Sequence, residues 1–540
     1  MNRPTITRRT GLVAAIIAVL ALALAGLAGA ATGAKHTAKV AKDQFVWITP
    51  LLPQSIDPAA YEGRQSSEIG PIWSSTLLRW KPIPVDSKAL QGPYGMEPFL
   101  AESYKKLDNG SWQFVLRADA KSQYGNTVTS DDVKWTFDRI IANDAVARSL
   151  MAVGNMDMKS PVEIVDKRTF NIHITGATSL AIAPLRWYSM TILDSVEAKK
   201  HATDTDPWAK AWLKTNTATF GAYYVAGFQS GQVVQFKVNP NFWGKTYFKS
   251  GIVRAIPDGG SRLQIMKSGG ATHTSFLDYS QLAEAAKDPK LSVLAPVSAG
   301  QDSLVLNNRI KPFNDVRVRQ AISMGLDRAA LVKAIYYGYG IPAIGEFAPA
   351  VPLSAPSQYY KYDVAAAKKL LADAGYPNGL EFTATTNVGN PGNHVNDLAA
   401  LIQSQLSKIG VKMNIQPIAS LTEHEAGQRA GKYEAVVRNW RPGINDGAYT
   451  LFIFFYSKGL NTYPSGYSNP AVDKLTLAAI TLEPGKRRDR AVSAALKTIN
   501  EEVPWTTLVQ TVAQHVFQAG ITGFSPAPFD EMWVDRLTRS

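Results

Sequence analysis

A mixed α/β architecture with more than one core is what this chain predicts, and three observations carry it. Runs of alternating polarity are interleaved throughout with runs of helical spacing, the pattern of strands alternating with helices. At 540 residues the chain is long enough for two or three cores. Hydrophobic residues at 45% and charged residues at 19% place it among ordinary globular proteins. Its 12 Trp, 21 Tyr and 20 Phe supply aromatic surface for cores and for ligand clefts.

The elements follow in order. From Gln44, the run Phe45-Val46-Trp47-Ile48 reads as the first strand, leading into Leu52-Pro53-Gln54-Ser55-Ile56-Asp57-Pro58. Asp108-Asn109-Gly110 is a hairpin-type turn before the alternating strand Trp112, Phe114, Leu116. Gly125-Asn126 turns the chain, and Thr129-Ser130-Asp131-Asp132 caps a helix through Val133, Trp135, Phe137 and Ile140. Residues 161–174 hold two strands around Asp166-Lys167-Arg168, and residues 194–215 read as a helix with a polar insertion. Strand residues 232–238 precede the turn Asn239-Pro240-Asn241-Phe242-Trp243-Gly244. Asp258-Gly259-Gly260-Ser261 is a turn before a helix over 263–268, not a phosphate cradle. After a short strand at Leu304-Val305-Leu306, Asp315 caps a helix whose stripe is Val316, Ala321, Ile322 and Leu326. Asp363 caps another, closed by Gly375 in the left-handed position after a helix. Val395, Leu398, Ile402, Leu406 and Ile409 recur at helical spacing up to Gly410, and Val411, Met413 and Ile415 then alternate as a strand.

The N-terminus reads as a targeting segment. Arg3, Arg8 and Arg9 precede an apolar run over 11–27, and Ala28-Gly29-Ala30 is an A-x-A cleavage site, with Thr32-Gly33-Ala34 a second option. Residues 1–34 are taken as the signal peptide and 35–44 as a mobile leader. The rival is an uncleaved membrane anchor, since the apolar run is nearly long enough to span a bilayer. Arg8-Arg9 leaves a twin-arginine signal open, although Thr10-Gly11 follow where an aromatic is usual. The sequence has no cysteine, which excludes disulfides, thiolate chemistry and a lipid-modified N-terminal cysteine. A periplasmic or secreted protein is expected. The net charge of +13 comes from dispersed residues, Lys486-Arg487-Arg488 being the densest run, so no nucleic-acid partner is expected.

Taken together, the ordered blocks carry a resemblance. Ser55-Ile56-Asp57-Pro58, Leu100-Ala101-Glu102-Ser103, Phe114-Val115-Leu116-Arg117 and Thr129-Ser130-Asp131-Asp132-Val133 come first. Gly221-Ala222-Tyr223-Tyr224, the Asn239 to Gly244 turn, and Asn314-Asp315-Val316-Arg317 with Leu326-Asp327-Arg328 follow. Lys368-Lys369-Leu370-Leu371-Ala372-Asp373-Ala374-Gly375-Tyr376, Tyr467-Ser468-Asn469-Pro470 and Val503-Pro504-Trp505 complete the set. Each is weak alone. In this order they resemble extracytoplasmic solute-binding protein family 5, which feeds dipeptide, oligopeptide and nickel ABC importers.

The resemblance implies a two-lobed periplasmic-binding-protein fold of type II, like the large cluster C, with an extra subdomain in the first lobe. The implied bounds are 45–82, 218–303 and 506–540 for the first lobe, 83–217 for the subdomain and 304–505 for the second lobe. It further implies a monomer that closes on a small peptide or other organic solute and hands it to ABC permease subunits, without a cofactor. Arg117, Asp131, Asp132, Arg319 and Asp327 match motif positions and read as caps and ion pairs.

The best site candidate is the loop from Val436 to Tyr449, where a strand runs into Pro, Gly, Asn and Asp. In peptide-binding members the matching segment holds a tryptophan and, three residues on, an aspartate that pairs with the ligand's α-ammonium. Here Trp440 is followed at that spacing by Gly443, and the nearest carboxylate is Asp446. A buried ammonium needs a charged partner, so either Asp446 takes that role or the ligand has no free amino terminus. Arg441 fits a carboxylate-bearing ligand or a structural ion pair. Trp440 reads as a cleft or a core aromatic, Asp446 as a ligand group or a helix cap, and Asn445 as a turn residue or a weak contact. Tyr61 and Phe220 either line the cleft or pack.

An enzyme is the main rival class. The seven His show no metal-pair spacing, Glu423-His424-Glu425 is not H-E-x-x-H, and there is no G-x-S-x-G elbow or P-loop. No catalytic residue or metal site is assigned. The remaining alternatives are a binding protein for an opine, sugar or metal chelate, and a membrane-anchored sensor.

Overall fold

The computed structural model describes residues 40–60, 63–87, 90, 92, 95–143, 146–387 and 394–540. The signal-peptide expectation and Tyr61 lie outside these residues.

Two large sheets organise two lobes. In the first, seven strands run in the order Leu291–Leu294, His515–Gln518, His273–Ser275, Gln44–Thr49, Ser250–Ala255, Val233–Val238, Tyr223–Gln229. Gln44–Thr49 sits at its centre, parallel to both neighbours. Its Phe45, Trp47 and Ile48 are buried, as the apolar run required. In the second sheet, six strands run in the order Ile341–Pro342, Thr507–Val512, Val297–Leu306, Ala435–Trp440, Leu380–Asn387, Val411–Ile418. Helices Val316–Met324, Arg328–Ile335, Val364–Asp373 and His394–Ser407 pack their apolar stripes onto it.

Local chemistry accounts for several boundaries. The helix Ser130–Ala142 begins at a capping box, with Asp132 Oδ2 accepting from Thr129 N at 2.8 Å. Asp315, Asp327 and Asp363 each accept a backbone N–H in the first turn of the helix that follows. Gly375 and Gly410 have φ of 94° and 83°, left-handed values that favour glycine. The expected single helix over 194–215 is instead two short ones, Ser195–Lys199 and Lys210–Leu213. The polar D-T-D-P insertion between them forms turns, with Thr203 and Asp206 bridging each other.

The extra subdomain holds a four-stranded antiparallel sheet, Ala101–Lys106, Trp112–Leu116, Thr169–Ile172, Val162–Ile164, with its own apolar core. A buried bidentate ion pair joins it to the first lobe: Arg139 Nη1 and Nη2 donate to Asp57 at 3.0 and 2.6 Å. This gives the Ser55-Ile56-Asp57-Pro58 block its physical role.

The chain passes between the lobes at two adjacent crossovers. Leu291–Leu294 leads through Ala295-Pro296 into Val297–Leu306, and Thr507–Val512 leads through Ala513-Gln514 into His515–Gln518. Ala513 N donates to Pro296 O at 2.9 Å, so the crossovers touch. The second lobe thus starts before the expected 304 and ends after the expected 505. Both ends are strands continuing into the second sheet, and the polar run around Gly300-Gln301-Asp302 concealed the first of them.

Two histidines lie beside this hinge. His273 Nε2 and His515 Nδ1 are 3.1 Å apart, and both rings are buried. Burial pushes His515 down to about 4, with Asp530 working against it and Arg64 and Arg441 with it, and burial, then the neighbouring His515, hold His273 well below its usual value. Because the folded values lie below the unfolded one, their contribution to stability is present above about pH 6.5 and is lost as pH falls toward 4. Imidazole NMR signals of His515 should therefore stay those of the neutral ring down to about pH 4. Titration near 6.5 would contradict the packing described.

Candidate ligand-binding cavity

Between the lobes lies a cavity of about 640 Å³, within the size range of small-molecule sites. The first lobe supplies Pro50 and Leu51 after the central strand, Phe276, and the short helix Arg64–Ile69 with Arg64, Gln65 and Glu68. The second lobe supplies the helix Leu421–Arg429 and the end of strand Ala435–Trp440, continuing through Arg441 to Gly443. Trp187 and Phe529 also line it.

Trp440 is half-buried at the wall, directly after the strand register that sets Asn439 opposite Asp302. Its ring meets Phe454, Trp505 and Tyr463 edge-on at centroid distances of 5.6, 6.1 and 6.4 Å. The Arg438 guanidinium lies 3.7 Å over it. Phe454 and Trp505, which do not line the cavity, pack against the ring, and its strand position brings it to the cavity.

Arg441 also lines the cavity, but its guanidinium is engaged. Its Nη1 donates to Asp530, which Arg64 Nη2 approaches from the first lobe at 3.0 Å. Arg64 Nε in turn donates to Glu68 at 2.6 Å. Burial works to raise the Asp530 carboxyl, and the two arginines outweigh it, holding Asp530 below the usual carboxylate range. For Glu68 burial wins over Arg64, and its carboxyl is pushed up to about 8. The Arg441–Asp530 pair spans the lobes.

The other expected site residues lie elsewhere. Asp446 caps the helix Gly447–Phe454, accepting from Tyr449 N at 2.8 Å, and takes Arg488 Nη1 and Nη2 at 2.7 and 2.5 Å. Its carboxylate is spent inside the second lobe, away from the cavity. Asn445 is buried and donates to Leu90 O at 3.3 Å. Phe220 is fully buried in the subdomain core, not at the cavity, because the backbone around Gly221 packs against Ser74. The structure therefore brings Trp440 and Arg441 together and leaves Asp446, Asn445 and Phe220 as packing or capping groups.

Gly443 is at the wall, and the space a side chain would take there is filled. A Cβ at this position would lie 2.3 Å from Trp187 Cζ2 and 3.2 Å from Phe529 Cε2. Its carbonyl accepts from Arg186, whose Nη1 donates to Glu531 at 3.1 Å.

The wall made by the helix Leu421–Arg429 is not among the residues expected from the sequence. Leu421, His424, Glu425, Gln428 and Arg429 face the cavity at the three- and four-residue spacing of one helical face. That spacing was the available signal, but the residues are too polar to read as a buried stripe. Burial, then Arg438, push His424 down to about 4, so this ring is neutral near pH 7. It lies 2.9 Å from Thr385 Oγ1.

Comparisons with known proteins agree with this architecture. Over 96% of both chains, the protein is 25% identical to heme-binding protein A of Haemophilus influenzae. It is 27% identical to glutathione-binding protein GsiB of Salmonella typhimurium over 80% of this chain and 85% of that one. A dipeptide-binding protein of a Pseudoalteromonas species, solved with Met-Leu, superposes with a TM-score of 0.78 at 20% identity, covering 92% of this chain and 100% of that one. The profile of the bacterial extracellular solute-binding proteins, family 5, middle region, matches residues 95–462. With that match spanning more than half of its length, the chain belongs to the family 5 extracellular solute-binding proteins.

Proposed function

We propose that the protein captures a peptide or peptide-like organic solute between its lobes, outside the cytoplasm, and delivers it to the permease of an ABC importer. The observation that carries this reading is a cavity of about 640 Å³ walled by both lobes. A solute that touches both walls gains contacts only in the closed form and shifts the population toward it. The permease then reads the closed shape, and no bond is made or broken. Relatives named for heme and for glutathione support the solute class broadly. Among the described residues no helix is long and apolar enough to cross a membrane.

The test is to purify the protein natively and identify the co-purifying solute by mass spectrometry. Trp440→Ala should then weaken its binding roughly tenfold or more, as expected for an aromatic wall worth about 1.5–3 kcal/mol. Unchanged affinity by calorimetry would remove Trp440 from the site.

A further inference from the structure

Resting on the reading of this cavity as the ligand site, its charge pairing names a narrower ligand class. Four arginines line it: Arg64, Arg429, Arg438 and Arg441. Among the described residues the acidic side chains within reach are all engaged. Glu68 and Asp530 hold Arg64, Asp530 also holds Arg441, and Glu425 takes Arg438 Nη2 at 3.0 Å and the Tyr463 hydroxyl at 2.6 Å. Arg429 is different. It is exposed at the C-terminal end of its helix, stacked 4.4 Å over the Tyr463 ring, with no carboxylate at ion-pair distance among the described residues. Among the described residues the wall thus offers one unpaired cation and no unpaired anion. The Nε of both Arg438 and Arg441 and the indole Nε1 of Trp440 are buried without acceptors.

An ammonium entering this cavity would meet arginines and find no free carboxylate, which is costly once water is excluded. Gly443 cannot supply one, since Trp187 occupies the place of its side chain. An acid group meets the reverse situation. Guanidinium forks bind carboxylates with charge-assisted hydrogen bonds, and a planar Arg429 held on Tyr463 is ready to do so. We infer that the cavity takes an organic acid without a free ammonium group, such as an N-blocked peptide or a peptide-like acid, with its acid group held by Arg429.

The test uses the full mature chain, freed of carried-over solute by unfolding and refolding, with the recovered fold checked by circular dichroism. Three matched sets of di- and tripeptides compete for it in native mass spectrometry: free-amine acids, their N-acetylated acids, and the N-acetylated amides. The N-acetylated acids should be retained about tenfold better than either other set. Arg429→Gln should erase that preference with the melting temperature unchanged, because the side chain is exposed. Equal or better retention of free-amine peptides overturns the inference, as does failure to retain any acid, or a preference that survives Arg429→Gln. A Trp440→Ala arm separates the two readings. Free-amine peptides that bind and are lost in Trp440→Ala would sink this inference while the cavity stands as the site. Acids whose retention ignores Trp440→Ala would sink the cavity reading itself.

Discussion

Replacing Asp446 with alanine should cost about 3–5 kcal/mol of stability while leaving solute binding intact in the molecules that remain folded. The substitution leaves the Arg488 guanidinium buried without its carboxylate, since both partners are almost fully enclosed and the bidentate contact lies at 2.5 and 2.7 Å. It also removes the cap from Tyr449 N, worth about 1 kcal/mol more. Asp446→Asn separates the two effects, because asparagine caps a helix as well as aspartate does but carries no charge. Denaturant melts read the stability and calorimetry with the co-purified solute reads the binding. A variant that melts like the parent yet loses its solute would return Asp446 to the ligand.

Placing aspartate at position 443 should fail to create a peptide site, although the family resemblance implies a carboxylate at that spacing in peptide-binding members. The first added carbon would already lie 2.3 Å from the Trp187 ring. Overpacking of this kind costs about 1–3 kcal/mol, and a carboxylate buried against two aromatic rings adds to it. Gly443→Asp should therefore lower the melting temperature and add no affinity for free-amine peptides. Combining it with Trp187→Ala should cost less than the two changes summed, because the second opens the space the first needs. Strict additivity in melts of the four proteins would show that the ring is not what excludes a side chain there.

Much of the fold was legible because its signals are local. Thr129 and Asp132, Asp315, and Asp363 each announce a helix start within three residues, and each accepts its N–H in the folded chain. Val411, Met413 and Ile415 alternate because one side of their strand faces the core around Leu406 and Phe382. The site was legible only in part. A strand ending in a Pro- and Gly-rich loop pointed to Trp440 and Arg441, and both reach the cavity. The role of Asp446 depended on Arg488, 42 residues further along, and that of Arg441 on Asp530, 89 residues away. No local pattern encodes such pairings. The lobe boundary was misplaced for a related reason: Val297–Leu306 is one strand lying wholly beyond the crossover, and its polar middle hid it.

The paired crossovers also set an order of assembly. His515–Gln518 lies between Leu291–Leu294 and His273–Ser275 in the first sheet, and Thr507–Val512 lies between Ile341–Pro342 and Val297–Leu306 in the second. Neither sheet can close until the C-terminal part of the chain has been made, because each keeps an open slot with unpaired edges on both sides. Both lobes therefore complete their sheets with adjacent stretches of one late segment. A chain lacking everything from Thr507 onward would be left not with one lobe intact but with two unfinished sheets.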